Sequence, residues 1–118
     1  MKIISASIVL AFCSSALAAQ GWTCLMTSEC LDTEACVETA YEIDIDALEG
    51  QYLLSDIAGE RAMSEVAPLE GADQRSFVSK IQDTSVGLFS LYPDGRAQYT
   101  QHSPDYSVRY SGTCEGSS

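Results

Sequence analysis

Cys24, Cys30 and Cys36 are evenly spaced in the stretch CLMTSECLDTEAC, and Cys114 follows far downstream. Thiols placed this way could hold a metal, run a redox couple or form a covalent staple. Zinc sites usually bring paired cysteines about two to four residues apart, whereas five residues separate each neighbouring pair here. A redox role favours Cys-x-x-Cys, which is absent. An even set of cysteines in an exported chain reads as disulfides, with connectivity that sequence alone does not choose. The preferred pairing is Cys30 with Cys36 and Cys24 with Cys114. The first closes a small loop over Leu31 to Ala35, and the second ties the start of the domain to its end.

The other chemistry-bearing residues point less clearly. His102 is the single histidine, with Ser103 and Asp105 beside it. A nucleophile and its base must converge in space, and adjacency in sequence does not supply that. Asp44 and Asp46 could suggest paired-carboxylate hydrolysis. Their alternation with Ile43 and Ile45 instead turns them to water, where a carboxyl does not acquire the raised pKa a general acid needs. Read as a calcium loop, DIDALEG has Leu48 and Glu49 where an oxygen ligand and a glycine are required. No catalytic residue, metal site or cofactor is expected. The candidate binding residues are Trp22, Tyr92, Asp94, Tyr99, His102 and Tyr106. With Tyr110, the aromatic ones among them could line a barrel mouth or a contact patch, because Tyr and Trp join apolar bulk to a polar handle. The plainer reading makes them cross-strand pairs that hold a sheet together.

Those residues need a scaffold, and the sequence describes one. Lys2, an apolar run from Ile3 to Phe12 and the small residues Ala16-Leu17-Ala18 read as a secretory signal peptide over 1–18. Cys13 is then an apolar filler that leaves with it. About a hundred residues remain, the size of one small domain. YEIDIDAL, residues 41–48, alternates with period two, as a half-buried strand does. Glu49-Gly50 turns the chain into QYLLSDI, and Ala58-Gly59 turns it again. Residues 61–66 are ambiguous, and the flanking strands favour a strand there, ended by Pro68 and Gly71. RSFVSKI, TSVGLFSLY, RAQYTQH and YSVRYSGTC complete the set. Val86, Leu88, Ser90 and Tyr92 share one face, as do Ala97 and Tyr99, while Tyr106, Val108 and Tyr110 align. YPDGRA is a turn in which Pro93 presets one dihedral and Gly95 supplies a left-handed one. Six or seven strands with short connections predict an all-β antiparallel meander over 19–115, barrel-like by preference, because closure removes exposed edges. Residues 116–118 are expected to be a disordered tail.

The chain carries 17 acidic and 6 basic residues, a formal net charge of -11. From Ala19 to Glu60 there are ten carboxylates and no Lys or Arg. Nucleic acid needs a positive stripe, so it is excluded as a partner. Anionic membrane surfaces are disfavoured for the same reason. A basic envelope or extracellular protein, or a divalent cation, is compatible with this charge, and a solvated acidic face is the bland reading.

A cysteine near each end, a strand hairpin before the last third and Ser111-Gly112 in a YSGTC ending make the plan similar to the periplasmic lysozyme-inhibitor family of small β-barrels. The resemblance implies an inhibitor of a lysozyme-like hydrolase or a protease, and an acidic inhibitor suits a basic enzyme. The family's Ser-Gly-x-x-Tyr contact motif is not reproduced, so no contact residues carry over. The expectation is therefore a periplasmic or secreted, non-catalytic binding module. Inhibition and the carriage of a small apolar ligand are the alternatives.

Overall fold

The computed structural model describes residues 21–67, 70–82 and 84–117. The expected signal peptide and Pro68 lie outside them. Among the described residues eight strands follow one another: β1 Gly21–Leu31, β2 Val37–Leu48, β3 Gln51–Asp56, β4 Gly59–Val66, β5 Arg75–Gln82, β6 Ser85–Leu91, β7 Arg96–His102 and β8 Ser107–Ser117. Each pairs antiparallel with the next, and β1 pairs with β8 to close a barrel. No helix among the described residues is long and apolar enough to cross a membrane.

Closure and both disulfides agree with the reading of the sequence. Cys24 lies directly opposite Cys114 across the β1–β8 ladder, bonded to it with Cα atoms 4.0 Å apart. Cys30 and Cys36 close the β1–β2 hairpin. The expected count of six or seven strands is corrected to eight. The additional strand is β1, whose Cys24–Met26 alternation is interrupted by a bulge between Met26 and Ser28. Such a bulge shifts the phase and hides the period-two pattern. The segment from Gly116 was expected to be a disordered tail. Gly116 and Ser117 instead pair with Trp22 and Gly21, which removes the freedom a tail would have. The ambiguous stretch at 61–66 is strand, within β4.

Local chemistry explains the hairpins. Glu49 (φ 45°) and Gly50 (φ 85°) both take left-handed backbone between β2 and β3. That is the two-residue turn whose twist matches paired strands. At the β6–β7 connection, Gly95 donates its N–H to the Tyr92 carbonyl, 2.9 Å.

Tyr99, Phe77, Phe89, Met26, Ile43, Ile45, Leu54 and Cys24 are fully buried and fill the interior. An apolar ligand carrier would need space where these side chains stand. On β6 the face holding Val86 and Leu88 is the outer one, and Gly87, Phe89 and Leu91 point inward. Gly87 has room only for a hydrogen, since an added Cβ would meet Ser79 Oγ at 2.9 Å and the Tyr99 ring at 3.0 Å.

Candidate functional site

The meander sends the chain back and forth between two rims, and the residues singled out in the sequence divide between them. Trp22 opens β1, and Tyr92 and Asp94 lie in the β6–β7 turn, so these share one rim. His102 ends β7 and Tyr106 precedes β8, which places them at the other. Tyr99 belongs to neither: it is 0% exposed and pairs across the ladder with Tyr110. As a contact residue it is therefore corrected to a core residue, and the six candidates do not form one site.

The first rim is built around Arg75. Its guanidinium lies 5.0 Å from the Trp22 ring centroid and 5.4 Å from that of Phe77. It donates to both Glu65 oxygens, at 2.8 and 2.9 Å, and to the Tyr52 hydroxyl at 2.9 Å. The hydrogen bonds from Arg75 hold the Glu65 carboxyl below its ordinary range. Arg75 thus covers one Trp22 face, as cation and ring attract. In the adjoining turn Arg96 lies 4.9 Å from the Tyr92 ring and donates to Asp94 at 2.8 Å. A groove of about 320 Å³ runs past Trp22, Asp73 and Tyr92. With its cations already paired and stacked, this rim reads as a cap over the apolar core.

At the opposite rim a second groove, also about 320 Å³, brings His102 beside Asp32, Glu34 and the Cys30–Cys36 loop. Ser103 Oγ lies 2.9 Å from Ser85 Oγ. Among the described residues no group of three His, Cys, Asp or Glu side chains is gathered closely enough to hold a metal ion.

The third feature went unread in the sequence. β2 is 12 residues long and β3 only six, and their ladder runs from Leu48–Gln51 to Asp44–Ser55 and stops. From Val37 to Ile43, β2 keeps β1 on one side and has no strand on the other among the described residues. A groove of about 410 Å³ follows this seam, lined by Ala40, Glu42, Asp44 and Ile57 among others. Inside the wall, Tyr41 donates its hydroxyl to Asp56. Arg61 donates to the same carboxylate at 2.9 Å and lies 3.4 Å from the Tyr99 hydroxyl. Tyr110 stacks on Tyr41 with centroids 4.5 Å apart.

Burial acts on this cluster in two directions. It pushes the Asp56 carboxyl up, but the hydrogen bonds from Tyr41 and Arg61 outweigh it and hold the group below its ordinary value. Burial first, and the Asp56 carboxylate second, push the Tyr41 phenol well above its ordinary value. Burial also raises Tyr99 and Tyr110. The cluster is consequently a charged Asp–Arg pair clasped by neutral phenols.

The signal for this cluster was a charge in an apolar phase. Asp56 falls in step with Tyr52 and Leu54 on β3, and Arg61 in step with Met63 on β4. Period two turns each of them inward. Outside the wall, Glu38, Glu42, Asp44 and Asp46 occupy alternate-phase positions of β2 and are all exposed. The described ion pairs join Arg61, Arg75 and Arg96 to Asp56, Glu65 and Asp94, so none neutralises that row. Leu25 and Thr23 stand opposite Glu42 and Asp44 on β1, and Ser55 opposite Asp44 on β3.

No known family, curated protein or solved structure matches this chain.

Proposed function

We propose that this chain is an exported, non-catalytic binding module that docks a basic envelope or extracellular protein on the outer face of β2. The observation that carries the reading is the row Glu38, Glu42, Asp44 and Asp46, exposed on one strand and unpaired with any cation among the described ion pairs. Carboxylates held on a rigid sheet beside a groove create a local negative field that speeds encounter with a cationic surface. The disulfides suit an oxidising compartment, where such partners are met.

The first rim supports binding less well, because its two arginines are already engaged with Glu65, Asp94 and the aromatic rings. Ser111 and Gly112, the residues shared with the lysozyme-inhibitor plan, lie within β8. There an added Cβ on Gly112 would meet the Leu25 carbonyl oxygen at 2.0 Å. Gly112 therefore serves strand packing here.

Titration calorimetry with a basic c-type lysozyme as probe tests the reading, with lysozyme turnover followed in parallel. Binding is expected at about 20 mM salt and should weaken at least about tenfold at about 300 mM, where the screening length is short. The double variant Glu42→Lys, Asp44→Lys should weaken it by a similar factor. Absence of binding at low salt, or an affinity indifferent to charge reversal, contradicts the reading.

A further inference from the structure

We infer that the free edge of β2 from Val37 to Ile43 is a strand-addition site for an extended peptide segment with Lys or Arg at alternate positions. The partner's charge rests on the acidic-face reading above; the backbone edge stands without it.

The edge exists because neighbouring strands differ in length. β1 continues to pair with β2 as far as Val37, while β3 leaves the ladder at Ser55 and turns through Ile57 and Ala58 into β4. Alternate N–H and C=O groups of the Val37–Ile43 segment therefore face the seam. At about 3.4 Å per residue, the edge is roughly 20 Å long, enough for a strand of six or seven residues. Strand edges of this kind accept peptides through main-chain hydrogen bonds, and flanking side chains choose among them.

The seam is grooved beside β3, and its floor is closed there. A groove of about 410 Å³ lies between Ala40–Asp44 of β2 and Ser55–Ile57. Beneath, the Tyr41–Asp56 hydrogen bond ties β2 to β3 where the ladder has ended. On the far bank Ile57 is 94% exposed, an apolar contact for the incoming chain.

Charge decides the occupant. A second copy would have to pair its own β2 edge here. Antiparallel pairing centred on Ala40, the middle of the free edge, sets Glu38 of each copy opposite Glu42 of the other. Like charges directly opposite destabilise a ladder, and charged edges are how sheets resist self-association. The same carboxylates complement a strand that presents cations. Lys or Arg would stand opposite Glu38 and Glu42, and Ala40 between them leaves space for a third long side chain.

Three synthetic heptapeptides test this against the intact protein. One alternates Lys with Val, one carries the same side chains on a backbone N-methylated at every amide, and one has Glu in place of Lys. Fluorescence anisotropy gives the affinities, and hydrogen exchange reports on the protein amides. The Lys peptide should bind at least about tenfold more tightly than either control, since N-methylation keeps its charge and removes its donors. It should also slow exchange at least about tenfold at alternate amides between Val37 and Ile43. Equal binding of the Lys peptide and its N-methylated form overturns strand addition and leaves the acidic docking face intact. Binding of lysozyme with no binding of the Lys peptide does the same. Failure of lysozyme and the Lys peptide together overturns both.

Discussion

Tyr41 donates to Asp56 where the β2–β3 ladder has ended, so a side-chain hydrogen bond closes the barrel wall that the backbone leaves open. Asp56 also pairs with Arg61, and the two side chains are 0% and 12% exposed. Asp56→Asn strands the guanidinium without its counter-charge. Breaking a buried pair from one side costs about 3 to 5 kcal/mol, and urea unfolding should show a loss in that range. Tyr41→Phe removes one hydrogen bond from the same carboxylate and should cost about 1 to 2 kcal/mol. The double variant Asp56→Leu, Arg61→Met should recover much of the Asp56→Asn loss, because no buried charge is then left alone.

The same cluster sets a pH dependence with two limbs. Asp56 titrates lower in the folded chain than its ordinary 3.8. Its contribution is therefore complete above that value and is lost as pH falls through the lower, folded one. Tyr41, Tyr99 and Tyr110 titrate higher than their ordinary 10.0. Their contribution is complete below pH 10.0 and disappears as pH rises toward the folded values. Unfolding midpoints across pH should fall at both extremes. Asp56→Asn should flatten the acid limb, with the contributions of Glu65 and Asp94, which also titrate below their ordinary values, remaining, and Tyr41→Phe should soften the alkaline one.

The two disulfides should differ in worth. Cys24–Cys114 spans a sequence separation of 90 and Cys30–Cys36 one of 6. In the chain-entropy model the long loop contributes about 4 to 5 kcal/mol and the short one roughly 2 to 3. The paired variant Cys24→Ser, Cys114→Ser should accordingly unfold at clearly lower denaturant than Cys30→Ser, Cys36→Ser. Equal midpoints would show that strain or structure in the unfolded chain dominates the entropy.

Two glycines give a test of packing. At Gly112 an added Cβ would lie 2.0 Å from the Leu25 carbonyl oxygen and 2.6 Å from the Met26 Cα, both backbone atoms of the paired strand. At Gly87 the nearest atom is the Ser79 hydroxyl at 2.9 Å, which can rotate, followed by the Tyr99 ring at 3.0 Å. Overpacking typically costs about 1 to 3 kcal/mol. Gly112→Ala should fall at or beyond the upper end and Gly87→Ala near the lower, as measured by thermal or urea unfolding.

Much of the fold was legible because its signals are local. YEIDIDAL shows its period, Glu49-Gly50 and Pro93-Asp94-Gly95 carry turn chemistry, and the number and spacing of the cysteines favour disulfides over a metal or redox site. β1 was hidden because its bulge breaks the alternation within a stretch already rich in cysteine. Tyr99 was misplaced because a tyrosine in an alternating strand looks the same whether it faces a mouth or a core. Only the partners around it, Gly87, Ser79 and Arg61, show that it is interior. The seam was invisible for another reason. It arises from the mismatch between β2 and β3, a relation between strands that neither strand's own pattern contains. The alternation turns Glu42, Asp44 and Asp46 to water, as the structure has them, and the open edge beside them gives that face a proposed use.

Where a cationic partner lands is the most direct test of the account. Amide chemical shifts of the isotope-labelled protein, followed as a basic c-type lysozyme is added at low salt, locate the contact residue by residue. Shifts are expected to concentrate on Val37–Asp46 and Ser55–Ile57, with Tyr92 and Asp94 at the first rim unmoved. Shifts centred on that rim, or spread without focus over the barrel, would contradict it.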